Sequence, residues 1–143
     1  MEISFKAVLF DIAGRVLLGT NPRGEWELLG GRPEAGDFGP HDTIARELTE
    51  EAGVAVRIGD LVDIWYYQIP GAGSVAIASY IAYLDDSADI VPSEEHTELQ
   101  FFGVDELAGL NMPTGYKTTI RAASRLASAD RAGTILGSGT TNE

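Results

Sequence analysis

Four stretches of the chain have the apolar or alternating pattern of β-strands: residues 5–11, 16–20, 54–69 and 74–84. The first two flank a turn around Gly14, and the third is long enough for one strand or two. In the fourth stretch, large apolar residues recur at every second position and should share one face: Val75, Ile77, Ile81 and Tyr83. A short strand at residues 100–104 and a short helix at residues 105–110 are predicted further along.

Two substantial helices are predicted among these strands. The first begins at Pro40, because proline fits the first helical turn, and ends at Gly53, because glycine is a common C-terminal stop. Its apolar residues recur four apart and should pack on the sheet: Ile44, Leu48 and Ala52. The second helix is predicted from about Gly115 to Ser128. This order of strands and helices indicates an α+β protein, an α/β/α sandwich with a mixed β-sheet between helices.

The 143 residues are enough for one domain, which we expect to span residues 1–130. The last segment, residues 131–143, is rich in small and polar residues and is expected to form a flexible tail. The absence of cysteine excludes disulfides and thiolate zinc sites. No apolar run approaches the roughly 20 residues of a membrane span, and the start "MEISFKAVLF" lacks the basic residues of a secretory signal. We therefore expect a cytoplasmic protein.

The formal net charge is -12, and the isoelectric point is about 4.4. This charge argues against binding to nucleic-acid polymers, because such binding depends on lysine and arginine neutralising phosphates. It does not argue against an anionic small molecule that is held through divalent cations, since a cation reverses the local sign of charge.

The stretch "ARELTEEAGV" (residues 45–54) concentrates acidic residues in the first predicted helix. Glu47, Glu50 and Glu51 stand at positions i, i+3 and i+4 and therefore share one face. Like charges at this spacing destabilise a helix by a few tenths of a kcal/mol per pair, and a bound cation would convert that repulsion into affinity. Oxygen ligands favour Mg²⁺ or Mn²⁺ over zinc. A solvated acidic face has the same pattern, so the surrounding residues decide between the two interpretations.

The segment Gly31–Val54 resembles the signature of the Nudix hydrolases, G-x5-E-x7-R-E-U-x-E-E-x-G-U, in which U is aliphatic. The matching positions are Gly31, Arg46, Glu47, Leu48, Glu50, Glu51, Gly53 and Val54. The preceding "NPRGEWELLGG" is similar to the W-E-L-P-G-G approach of that family. A weaker similarity extends along most of the chain and includes "HTELQFFGVDEL".

The segment departs from the signature at three points. Asp37 stands where the family has glutamate, and eight residues rather than seven separate it from Arg46. Leu29 stands where the family usually has proline. The extra residue falls in the loop before Pro40, which absorbs it at low cost. The helix face is therefore unaffected, whereas the position of Asp37 is left open.

The resemblance implies Mg²⁺-dependent hydrolysis of a phosphoanhydride bond in a nucleoside diphosphate linked to another moiety, with Mn²⁺ as a second candidate cation. It also implies roles for individual residues. Glu50 and Glu51 would be the principal metal ligands, and Glu47 a further ligand or the base that takes a proton from water. The Gly31 carbonyl would complete the metal site. Arg46 would orient one of the carboxylates through a charge-assisted hydrogen bond, and Asp37 would support the site without binding metal.

Family members often add an acidic residue from a later loop, as a metal ligand or a base. The segment "SEEHTEL" offers Glu94, Glu95 and Glu98. Glu98 is favoured because it directly precedes "LQFFGVDEL", and Glu95 is the next candidate. His96 could act as a base with its near-neutral pKa, although for both His96 and His41 a surface role without catalysis is the alternative.

Contacts to the substrate are specified less well. Arg23, beside the signature loop, and Tyr116 and Lys117, at the start of the last helix, are candidate phosphate contacts, with a structural or surface role open for each. Trp65 and Tyr67 should share one side of their strand. Either ring could stack on a base, with Tyr67 as the substrate-binding candidate, while the other packs in the core.

Two alternatives were weighed. A non-catalytic Nudix-fold module that binds a nucleotide would be expected to lose one of the metal glutamates, and this chain retains all three. The segment "GAGSVA" matches a weak dinucleotide-binding pattern, but strand rather than helix follows it, so a hairpin turn around Gly71 and Gly73 explains it better.

The sequence does not choose among nucleoside triphosphates, ADP-ribose, dinucleoside polyphosphates, nucleotide sugars and NADH. A homodimer is an open oligomeric state, since many relatives are homodimers.

Overall fold

In this computed structural model the described residues are 1–84, 90 and 98–140, with side chains described up to residue 130. They form seven strands and two α-helices, with a 3-10 helix at Val104–Gly109 before the last helix. The order along the chain is β1 (Glu2–Phe10), β2 (Val16–Thr20), β3 (Trp26–Glu27), β4 (Leu29–Gly31), α1 (Pro40–Ala52), β5 (Val56–Ile69), β6 (Gly73–Leu84), β7 (Leu99–Phe102) and α2 (Thr114–Thr140).

The strands form one mixed sheet, as predicted. The strand order is β3-β2-β1-β6-β5, while β4 pairs with β1 and β7 pairs with β2. The β1–β6 pair is parallel and the remaining pairs are antiparallel. The segment for which we allowed one strand or two is the single strand β5, and irregular pairing between Ile58 and Asp63 interrupts its ladder with β6.

Each face of the sheet is covered by one α-helix. Successive residues of β1 point to opposite faces, so Leu9 packs in the cluster that contains α1 and Val8 packs in the cluster that contains α2. The predicted apolar face of α1 is fully buried in the first of these clusters: Ile44, Leu48 and Ala52. The alternating residues predicted to share one face of β6 all lie in the second: Val75, Ile77, Ile81 and Tyr83.

The predicted limits of α1 are confirmed. Pro40 occupies its first turn, and Gly53 ends it in the left-handed conformation with φ 67°, its N–H donating to the carbonyl of Thr49 at 3.0 Å. The predicted end of α2 near Ser128 is wrong, because the helix continues to Thr140. Much of the segment expected to be a flexible tail is therefore helical. Residues 141–143 lie outside the described residues, and the flexibility of the tail stays a prediction. Among the described helices, none combines the length and the apolar character that crossing a membrane requires.

Candidate active site

Two of the three signature glutamates lie where α1 packs against β4. Glu47 and Glu51 are buried, with 9% and 1% of their surface exposed. Glu51 Oε1 accepts a hydrogen bond from the N–H of Gly30 at 3.1 Å. A Cβ atom on Gly31 would overlap the carboxylate of Glu47. The consecutive glycines thus let the backbone of β4 lie directly against both carboxylates, as close approach of this kind requires.

The two buried carboxylates also lie close enough to influence each other's ionisation. Burial raises the pKa of Glu51, Lys6 opposes that rise through its positive charge, and the adjacent Glu47 adds to it. A divalent cation would offset the repulsion between the two carboxylates, because ionised carboxylate oxygens are the ligands that Mg²⁺ and Mn²⁺ prefer. The pair, with the backbone of Gly31 beside it, therefore fits a hard divalent cation.

Arg46 connects this carboxylate pair to the loop before α1. Its guanidinium donates to Glu47 Oε1 at 3.1 Å, which is the contact that an orienting role requires. It also donates to Asp37 Oδ2 at 2.9 Å and to the carbonyl of Arg32 at 3.2 Å. The hydrogen bond from Arg46 holds the pKa of Asp37 well below its usual range. Hydrogen bonds from the N–H of Glu34 and from the hydroxyl of Thr43 lower this pKa further.

Despite the extra residue in the loop and its shorter side chain, Asp37 thus reaches Arg46. It binds the guanidinium of Arg46 and does not touch Glu47 in any described contact, and its supporting role in the site stays a prediction.

Glu50 does not join the other two glutamates in this structure. Its side chain is half exposed and lies 3.5 Å from the guanidinium of Arg46. Among the described residues, no three side chains of His, Cys, Asp or Glu converge on a point that could hold a metal ion. The two-glutamate arrangement differs from the predicted three, because Arg46 attracts Glu50 outward and Glu51 is directed inward to Gly30.

A buried charge that the sequence analysis missed lies beside this pair. Lys6 of β1 is 7% exposed, and its ammonium lies 3.3 Å from Glu27 Oε2. Burial lowers the pKa of Lys6, but its acidic neighbours Tyr116, Glu27 and Glu51 outweigh that effect and raise it above the usual value. Lys6 stands opposite Gly30 in the β1–β4 register. The available signal was one lysine inside the otherwise apolar "ISFKAVLF", followed by the acidic "EWELLGG".

The predicted aromatic contacts lie on the face of the sheet that α2 covers. Trp65 and Tyr67 share one side, as predicted, and stack with their ring centroids 5.5 Å apart. The Tyr67 hydroxyl donates to Glu25 at 3.3 Å. Tyr116 is only 2% exposed and packs edge-on against Trp65 at 5.1 Å, and burial raises its pKa to about 12. Its place is that of a core residue, so the expectation of a phosphate contact is corrected to a packing role.

The two predicted cationic contacts are engaged within the protein. Arg23 donates from Nε to Glu25 at 3.1 Å and remains about half exposed, so it is accessible to a ligand. Lys117 donates to the backbone carbonyls of Leu110 at 2.8 Å and Ala108 at 3.4 Å. These bonds tie the start of α2 to the preceding 3-10 helix, which is a structural role.

The later acidic loop falls mostly outside the described residues, and with it Glu94, Glu95 and His96. Glu98 is described and exposed. Its N–H donates to the hydroxyl of Thr20 at 3.2 Å, and its carbonyl accepts from the N–H of Thr20 at the same distance, so it stands at the start of β7 beside the end of β2. His41 packs edge-on against Tyr80 with ring centroids 5.5 Å apart, on the side of the sheet that α1 covers.

Comparisons with known proteins concern the family and the fold of the chain. A family model described as the NUDIX domain matches residues 2–123. The fold is similar to that of a MutT protein from Methanosarcina mazei Go1, with a TM-score of 0.76 and 22% identity over 88% of this chain and 94% of the other. It is also similar to a C. elegans Ap4A hydrolase, with a TM-score of 0.80 and 18% identity over 90% and 99%. At these identities the structural likeness shows the fold alone. No curated protein matches the chain.

Proposed function

The chain belongs to the Nudix family of hydrolases, and we propose that it hydrolyses a phosphoanhydride bond in a nucleoside diphosphate linked to another moiety, with Mg²⁺ or Mn²⁺ as cofactor. The observation that carries this proposal is the buried pair of Glu47 and Glu51, which lie side by side against the backbone of Gly30 and Gly31, with the guanidinium of Arg46 bound to Glu47. Two carboxylates forced together are stabilised by a divalent cation and by few other ligands.

The residues that would hold the cation are Glu47, Glu51 and the carbonyl of Gly31, with Glu50 joining if it leaves Arg46. A bound Mg²⁺ neutralises charge on the phosphate oxygens during in-line attack by water. If Glu47 is not a metal ligand, it is the candidate base that accepts the proton from that water, because Arg46 orients its carboxylate. Glu98 stays the favoured candidate acid from the later loop, with Glu95 as the next candidate.

The side chains proposed to bind substrate are Arg23 and Tyr67, which meet at Glu25. Arg23 is about half exposed and keeps donors free to bind a phosphate oxygen. Tyr67, stacked on Trp65, supplies the edge of an aromatic surface on which a base can stack. Tyr116 packs against Tyr67, and Lys117 binds the backbone carbonyl of Leu110. Both residues therefore stabilise the start of α2 beside this surface and do not contact the substrate.

The test is release of phosphate or nucleoside monophosphate from a panel that contains a nucleoside triphosphate, ADP-ribose, a nucleotide sugar and a dinucleoside polyphosphate, with Mg²⁺ and with chelator. Glu51→Gln should lower turnover by at least about 100-fold, since even residues that only support metal ligands are worth 10–100-fold. Asp60→Asn, which changes an exposed acid on β5, serves as the matched control and should leave turnover unchanged.

Two results would point away from this proposal. Equal turnover with Mg²⁺ and with chelator would remove the cation from the reaction. If no compound were hydrolysed but one of them raised the melting temperature, the protein would instead be a nucleotide-binding module with the same fold.

A further inference from the structure

A surface pocket of about 140 Å³ lies beside the loop that precedes α1. Its walls include the apolar side chains of Phe5, Pro33, Phe38 and Pro40. Phe38 is 98% exposed, so nearly all of its ring is in contact with water. A cavity of about 150 Å³ holds one benzene ring, so the space is the right size for a single aromatic ring.

This pocket lies next to the candidate active site, to which three of its lining residues connect it. Thr43 lines it, and Glu47 lies four residues later on the same face of α1, about one helical turn or about 6 Å further along the helix axis. On the sheet, Phe5 pairs with Gly31, the residue whose backbone lies against the carboxylate of Glu47. Asp37 forms part of the pocket wall and binds Arg46, which in turn binds Glu47. A ligand in the pocket would therefore sit about one turn of helix from Glu47.

The chemistry of the walls selects a ring rather than a phosphate. Asp37 is the charged group among the lining residues, and a negative charge repels phosphate. Its carboxylate already accepts hydrogen bonds from Arg46, from Thr43 and from the N–H of Glu34. What remains for a ligand is an apolar floor and the free face of Phe38, which is the kind of surface on which a nucleobase stacks.

One ring could not occupy this pocket and also reach the aromatic pair proposed to bind the base. Phe5 packs in the cluster on the α1 face of the sheet, whereas Trp65 and Tyr67 pack in the cluster on the α2 face. The two aromatic surfaces therefore lie on opposite faces of the sheet. A substrate that used both would need a ring at each end.

We propose that the pocket formed by Phe5, Pro33, Phe38 and Pro40 is a subsite for the aromatic ring of the second moiety of the substrate, and that Phe38 determines specificity for substrates with a ring on both sides of the phosphates. This inference rests on the proposed function. It names dinucleoside polyphosphates as the preferred class over nucleoside triphosphates and ADP-ribose.

The kinetic test compares diadenosine tetraphosphate with ATP in wild type, Phe38→Ala and Phe38→Tyr. Phe38→Ala should raise KM for diadenosine tetraphosphate at least about fivefold, the lower end of the effect of losing a stacked base. The same substitution should leave kcat for diadenosine tetraphosphate, and both kcat and KM for ATP, within twofold of wild type. Phe38→Tyr should keep the wild-type values for both substrates. Ile12→Ala, which removes another fully exposed apolar side chain in the β1–β2 turn, is the control. Equal changes for both substrates, or no change for either, would overturn the proposal.

A binding test separates this inference from the hydrolytic function. Phe38→Trp places a fluorescent ring at the pocket, and titration with adenosine should change its emission saturably, beyond the change seen for wild type with Trp26 and Trp65 alone. If wild type hydrolysed nothing in the panel but adenosine still gave this saturable change, the proposed function would fail while the ring subsite stood. If adenosine gave no saturable change, the subsite would be rejected whatever the turnover.

Discussion

Lys6 is a charged side chain buried in a strand whose next four residues are all buried and apolar. Placing an ammonium there would cost several kcal/mol if it were unpaired, and Glu27 supplies the partner at 3.3 Å. The two residues are 21 positions apart in the sequence, so their pairing depends on the order of strands in the sheet. The charge of Lys6 also acts on Glu51, where it opposes the rise in pKa that burial causes, so a buried residue of β1 affects the candidate active site.

Breaking this pair should destabilise the protein strongly. Lys6→Met leaves Glu27 buried without its counter-charge, and we expect the free energy of unfolding in urea to fall by about 3–5 kcal/mol. Lys6→Met combined with Glu27→Leu should recover most of that loss, because neither charge then remains. Arg32→Met is the control, since its pair with Glu2 is more than half exposed and should be worth about 1 kcal/mol or less. Equal losses in the single and double variants would show that the charge pairing is not the cause.

The elements whose limits could be predicted are those with local signals. Pro40 and Gly53 fix both ends of α1 through their own backbone preferences, and the alternation in β6 fixes which of its residues face α2. The end of α2 could not be predicted, because small and polar residues after Ser128 resemble a tail while the backbone continues as helix. The signature singled out Glu47, Glu50 and Glu51, but that Glu50 turns toward Arg46 while the other two are buried depends on side-chain contacts that the signature does not specify. The pocket at Phe38 depends on how β1 pairs with β4, which the sequence does not state.

The contact between β4 and α1 gives a prediction for Gly31. In Gly31→Ala the new Cβ atom would overlap the end of the Glu47 side chain, which can move, so the carboxylate should be displaced while the fold persists. We expect turnover to fall by about 10–100-fold and the free energy of unfolding to fall by no more than about 1–3 kcal/mol. Gly109→Ala, where a Cβ atom meets no neighbour, is the control. Full activity in Gly31→Ala would mean that the position of Glu47 is not critical.

At the scale of the whole molecule, a net charge of -12 makes the folded chain repel itself, and α1 concentrates part of that charge in its buried glutamates. Any cation would weaken the repulsion among the charges of the whole chain by screening. Only a cation that binds at Glu47 and Glu51 would relieve the repulsion between these two carboxylates. Binding at the glutamates should require a divalent cation and should be lost when Glu51 is replaced, whereas screening should depend on neither. Thermal unfolding can therefore distinguish a metal site from an acidic surface.

Mg²⁺ at about 100 times its dissociation constant should stabilise the protein by about 2.7 kcal/mol, which corresponds to a rise in melting temperature of roughly 5–10 °C for a domain of this size. NaCl at the same ionic strength should give a smaller rise, because screening does not require the carboxylate pair. In Glu51→Gln the response to Mg²⁺ should fall to that of NaCl, since the neutral amide is a far poorer ligand for a hard cation. The fold of this variant should persist without metal, because the mutation also removes a charge that burial disfavours. A Mg²⁺ response equal to that of NaCl in wild type would show that the acidic helix is screened and that no cation binds at these glutamates.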